Sequence, residues 1–179
     1  MHQRGFNLIE LLVTLTILAV LLHLAMPSFR TLISSNRQQV AADELLSAMR
    51  SARTAAITRS RAVIIEPLEG DWALGWRMVA DDSGKGLGDP DNPVLLVRQS
   101  GGKVRIVANS RLAQWARFNS LGVPSYAGAS PGNGSMYICD RQAGKMHSRV
   151  VIATSGRIRL DDRPGDGGDL CASTNGLDA

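Results

Sequence analysis

Apolar positions fall into three successive patterns along the chain. Over residues 6–26 they are almost continuous: 21 residues hold no Lys or Arg, and Glu10 is the single acid. As an α-helix this run spans about 31 Å, enough to cross the hydrocarbon core of a bilayer. Over residues 28–62 there is no Gly or Pro, and Ala42, Leu45, Leu46, Met49, Ala52 and Ala56 recur at helical spacing. Arg37, Gln38, Asp43, Arg50, Arg53 and Arg59 occupy the opposite positions. The pattern predicts one long helix that leaves the apolar run and ends near residue 60, with small residues that let a sheet pack closely. Beyond it lie short runs rich in β-branched and aromatic residues, among them AVIIE, ALGWRMVA, VLLVRQ, KVRIVA, QWARFN, SMYIC, SRVVIA and RIRL. Clusters of Gly, Pro, Asn and Asp separate them, which predicts seven or eight strands paired mostly antiparallel. The fold class is α+β, a long N-terminal helix packed on a β-rich domain.

The first pattern admits two bland explanations. A cleaved secretory signal fits the short basic start with Arg4, but the apolar run is longer than an ordinary h-region and no good A-x-A site follows. An uncleaved signal anchor is the plainer reading, with Arg4 on the cytoplasmic side and the bulk of the chain exported. Neither accounts for Glu10. An acid within a membrane span costs roughly 3 kcal/mol on insertion scales, so a partner must offset it. Pro27, at the end of the run, lacks an N–H and implies either a bend or the end of the helix.

The stretch RGFNLIELL resembles the processing site of type IV prepilins and pseudopilins. In that family a short basic leader ends in Gly, and a membrane aspartyl protease, the prepilin peptidase, cuts after it and methylates the new N-terminus. The resemblance implies cleavage between Gly5 and Phe6, with the anchor retained. Glu10 then becomes the fifth residue of the mature chain, where the family has its glutamate. Its implied partner is the Phe6 ammonium, on a neighbouring subunit or on its own chain. Opposite charges in a dry helix bundle remove much of each other's burial cost and set the register of assembly. Further along, SARTAAITRSRAV, WALGWRMVADDSGKGLGD, RFNSLGVPS and VVIATSGRIRL resemble, in that order, the GspH/FimT family of minor pilins and pseudopilins.

From this follow a leader at 1–5, a membrane helix at 6–27, its amphipathic continuation at 28–61, a periplasmic β-rich domain at 62–161 and a tail at 162–179. The resemblance further implies a single-pass inner-membrane protein, other major and minor pilins or pseudopilins as partners, and a place at or near the filament tip. It leaves open a type IV pilus or a type II secretion pseudopilus.

Composition changes little. Net charge is +4, which permits contact with phosphates or anionic lipid without establishing either. No dinucleotide, P-loop, zincin or nucleophile-elbow motif is present, so the sequence implies no enzyme activity, metal or cofactor. Cys139 and Cys171 stand outside any C-x-x-C or Cys/His cluster. They are either two separate thiols or, outside the cytoplasm, one disulfide closing a loop of about 30 residues. Some minor pilins that prime type IV pili have a disulfide-pinned C-terminal segment, and the resemblance implies the same pairing here.

Two stretches invite ligand readings. DDSGKGLGDPDN, residues 81–92, places four aspartates in a Gly-rich loop. Lys85 and the absence of a closing Glu break the calcium-loop pattern, so a solvated turn is expected. In SGRIRL, Arg157 and Arg159 are two apart and share one face of a strand, a pair that can grip phosphates. DNA-binding FimT-like proteins carry a G-R-x-R motif of this kind, so the resemblance implies double-stranded DNA as an alternative partner, during natural transformation. Arg163, Arg149, Lys145 and Arg141 extend the basic set, while Asp161, Asp162, Asp166 and Asp169 weaken its field. A solvated sheet face is the competing explanation. Trp76 shares a strand face with Leu74 and Met78 and is expected in the core. His2, His23 and His147 are scattered, and no Ser–His–acid set can be argued from spacing.

Overall fold

The computed structural model describes residues 7–127, 132–140, 145–163 and 168–172, with backbone alone at 24, 25, 27, 168 and 169. Helix α1 runs over Leu8–Arg59. It continues through Pro27, so the proline does not end the helix. The chain divides into two compact units, one reaching Asn36 and the other Arg37–Ala179. In the first unit the described large apolar side chains from Leu8 to Ile33 are exposed; even Leu18 and Leu22 are about half exposed.

The second unit contains the remainder of α1 and nine strands among the described residues: β1 Ala62–Leu68, β2 Asp71–Asp81, β3 Val94–Gln99, β4 Arg105–Ala108, β5 Ala116–Phe118, β6 Pro124–Tyr126, β7 Gly134–Cys139, β8 Met146–Ile152 and β9 Ile158–Asp161. They form a five-stranded sheet in the order β3-β2-β1-β5-β6 and a four-stranded sheet in the order β4-β7-β8-β9. Every pairing is antiparallel. The strand beyond the eight quoted runs is β6, three residues opening with Pro124 at a sheet edge. Proline is tolerated there because the outer N–H needs no partner.

One core joins α1 to both sheets. Ala42, Leu45, Ala48, Met49, Ala52 and Ala56 face Val63, Ile65, Trp76, Phe118, Met136, Ile138, Val150 and Ile152, all buried. Four of those six helix residues are alanines, which lets the strands approach the helix axis. Gln38, placed on the polar side by the sequence pattern, is buried instead. Position 38 lies four residues before Ala42 and so shares its face of the helix.

The loop over 81–92 is held by its own polar groups. Asn92 is buried; its Oδ1 accepts the Asp82 N–H at 3.2 Å and its Nδ2 donates to Gly86 O at 2.8 Å. Asp81 is the last residue of β2 rather than part of the solvated turn. Its Oδ2 accepts from Arg117 Nε at 3.0 Å and its Oδ1 from the Gly86 N–H at 3.0 Å. The sheet order explains this pair, since β2 and β5 flank β1 and bring residue 81 beside residue 117. Burial pushes the Asp81 carboxyl up, but the Gly86 N–H and the Arg117 guanidinium outweigh it and hold the group below its ordinary value.

Candidate functional site

Gly5 and Phe6, the residues of the implied cleavage, lie outside the described residues. Glu10 stands in the first turn of α1, where the positive end of the helix dipole favours an acid. Among the described residues nothing donates to its carboxylate, and every apolar neighbour in this part of the helix is exposed. Two hydroxyls of the same stretch are satisfied locally: Thr14 Oγ1 donates to Leu11 O at 2.8 Å and Thr16 Oγ1 to Leu12 O at 2.7 Å. The helix therefore presents an apolar cylinder, long enough to cross a membrane, with a carboxylate near its start that has no partner among the described residues.

The outer face of the four-stranded sheet carries the remaining candidates. Cys139, at the end of β7, is joined to Cys171, which sits 32 residues later in the short helix α2, Gly168–Ala172. Tyr137, Cys139 and Cys171 form a small buried cluster with Val107, Met146 and Leu170 beside it. Within the tail, Gly168–Ala172 makes one helical turn and lies against β4 and β7.

Next to that cover, the strand register collects charge. Tyr137 pairs with Arg149 across β7 and β8, and Arg149 pairs with Asp161 across β8 and β9. Asp161 is buried, and three guanidiniums converge on it. Arg149 Nη2 and Arg159 Nη1 each lie 3.1 Å from Oδ2, and Arg163 Nε lies 3.0 Å from Oδ1. The Arg163 hydrogen bonds, with help from Arg149, overcome burial and hold the Asp161 carboxyl far below the usual carboxylate range.

The two arginines of the G-R-x-R stretch consequently differ. Arg159 is tied to Asp161, whereas Arg157 is exposed and has no side-chain partner among the described residues. Gly156, just before it, is buried with φ +81°, and a Cβ there would lie 2.2 Å from Gly122 O. Arg53 of α1 donates to that same Gly122 oxygen at 3.0 Å. The glycine thus seats the β8–β9 turn against the β5–β6 loop and the helix, and Arg157 projects from a fixed base. Lys145 is exposed, and Arg141 and Asp166 lie outside the described residues.

Sequence reasoning did not single out Asp161 as an organising group. Its signal was present, an acid two residues from Arg159 and Arg163, but Arg149 joins only through the hairpin register. No described group of three or more His, Cys, Asp or Glu could hold a metal ion.

An unburied apolar N-terminal helix that runs into an antiparallel α+β domain defines a pilin-type subunit. Residues 1–26 match the prokaryotic N-terminal methylation motif. Residues 41–156, well over half of the chain, match the family described as Type II transport protein GspH, and the chain belongs to that family. A crystal structure of the type IV minor pilin FimU of Pseudomonas aeruginosa PAO1 is similar, with 26% identity and a TM-score of 0.54 over 69% of this chain and 91% of that one. A second crystal form of FimU gives 24% identity and a TM-score of 0.55 over 70% and 89% of the two chains, a likeness of fold alone. No curated protein matches in sequence. Family and fold neighbours are structural pilins, not enzymes, and the motif and apolar helix are those of a membrane-anchored pilin.

Proposed function

We propose that this protein is a minor pilin that helps start or cap a type IV pilus or a type II secretion pseudopilus. It enters the inner membrane with its N-terminus in the cytoplasm and residues 6–27 across the bilayer. The prepilin peptidase cuts it between Gly5 and Phe6 and methylates Phe6. The β-rich domain stands in the periplasm, and the anchor joins the helix bundle of other pilins or pseudopilins. One observation carries this reading: an apolar helix whose described large side chains are exposed, bearing a carboxylate with no described partner, together with a methylation motif. Both deficits are met by neighbouring helices and by the ammonium that cleavage creates at Phe6. In Glu10→Ala, cleavage should proceed while recovery of the protein in sheared filaments falls steeply. Wild-type incorporation of that variant would contradict the pairing.

A second reading, double-stranded DNA binding during natural transformation, draws support from the arginine face. Arg149, Arg159 and Arg163 converge on the one carboxylate of Asp161, and Arg157 is exposed with no side-chain partner among the described residues. Arg157 is the residue available to phosphate, and Arg159 is the one already committed. Arg157→Ala should weaken DNA binding and shift the salt dependence by about one phosphate contact, with Arg159→Ala having the smaller effect. Retention on DNA unchanged by both substitutions would remove this reading.

A further inference from the structure

Asp161, the last residue of β9, meets more donors than it can serve. Its Oδ2 accepts from Arg149 Nη2 and Arg159 Nη1, each at 3.1 Å, and from Arg163 Nη2 at 3.4 Å. Its Oδ1 accepts from the Arg163 backbone N–H at 3.2 Å and from Arg163 Nε at 3.0 Å. An ionised carboxylate has about four lone-pair sites, so this one is full. Donors are still left over: Arg149 Nε is buried with no partner among the described residues. Asp162, next in the chain, is exposed and has no side-chain partner among the described residues.

A carboxylate and a phosphate offer a guanidinium the same recognition, oxygens that accept its N–H groups in the plane of the fork. An arginine already bonded to one must release it, wholly or in part, to turn to the other. Arg159 and Arg163 are in that state, and Arg157, two residues before Arg159, is not. We propose that Asp161 is a built-in competitor of phosphate: it masks Arg159 and Arg163 and leaves Arg157 to make the first contact with double-stranded DNA. The inference rests on the DNA reading given above and concerns the strength of that binding. Strand register sets the mask, since Asp161 pairs with Arg149 across β8 and β9 and shares a strand face with Arg159. The Arg163 hydrogen bonds hold the carboxyl far below its ordinary range, so the mask stays charged at neutral pH. Each phosphate contact after the first must then displace an ion pair already made, which keeps binding weak and reversible.

The test titrates the full chain, in a non-ionic detergent, with a DNA duplex of mixed sequence at about 50 and about 200 mM salt. Tryptophan fluorescence checks that each variant is folded. Asp161→Asn should tighten binding about three- to tenfold at the lower salt and steepen the salt dependence by about one to two phosphate contacts. Lost stability alone cannot produce such a gain. Asp162→Asn changes the net charge equally but frees no arginine, so its salt dependence should match wild type. Arg159→Ala, the weaker substitution in the wild-type chain, should reverse much of the gain in the Asp161→Asn chain. If Asp161→Asn binds no more tightly than wild type or Asp162→Asn while Arg157→Ala still weakens binding, the mask alone is overturned. If neither wild type nor Asp161→Asn binds DNA at the lower salt, the DNA reading falls and the mask with it.

Discussion

Residues 8–36 and 37–59 belong to one helix, yet their side chains meet opposite surroundings. In the first part, the described leucines are exposed on every side of the helix. In the second, a single stripe from Ala42 to Ala56 is buried against two sheets, and the other side carries Arg37, Asp43, Arg50 and Arg59. A helix that is apolar all round belongs in a bilayer or a bundle, and a helix with one apolar stripe belongs on a domain surface. The same backbone thus serves two tasks. Substitutions in the second part should act on the stability of the domain, and those in the first on assembly.

The sharpest contrast comes from matched leucines. Leu45→Ala empties a fully buried site and should cost about 2–5 kcal/mol. Leu15→Ala should leave domain stability within about 0.5 kcal/mol of wild type. Urea unfolding of the full chain in detergent reads this directly, since Trp72, Trp76 and Trp115 all lie in the second unit. An equal loss in both variants would erase the division.

Next in size is the disulfide. Cys171→Ser releases α2 from β7 and should cost about 2–4 kcal/mol, seen as a lower urea midpoint that reductant no longer changes. Its effect belongs to the domain, so leader cleavage should be unaltered.

The smallest effect sharpens the comparison through pH. Asp161 and Asp81 both have folded pKa values below their unfolded ones. Their contribution is present above the unfolded carboxylate value near 3.9 and is lost as pH falls through the folded values. Domain stability should therefore decline below about pH 4. Asp161→Asn should be less stable than wild type at neutral pH and decline less steeply in acid, with Asp81 supplying the remaining slope. Identical acid profiles would separate Asp161 from the stability of this face.

Much of this division is legible in the chain itself. The unbroken run before Met26 and the spaced stripe after Ala42 give both parts of α1, and the eight β-rich runs correspond to eight strands. Contacts that depend on strand order are not legible. Asp81 reads as one of four loop aspartates until the order β2-β1-β5 sets it beside Arg117. Arg157 and Arg159 read as an equivalent pair until the hairpin register places Arg149 opposite Asp161 and draws Arg159 into that cluster. Gly156 reads as a turn residue, and its close approach to Gly122 appears only when two distant loops meet. Local periodicity records which face of an element is apolar; it does not record which charges a sheet brings together.

One helix carries an assembly element followed by a folding element, and a paired measurement separates the two. Glu10→Ala and Leu45→Ala would be compared for urea unfolding of the domain and for recovery in sheared filaments. The account predicts wild-type unfolding with lost incorporation for Glu10→Ala, and a lowered unfolding midpoint for Leu45→Ala. Normal incorporation of Glu10→Ala, or a destabilised domain in that variant, would contradict it.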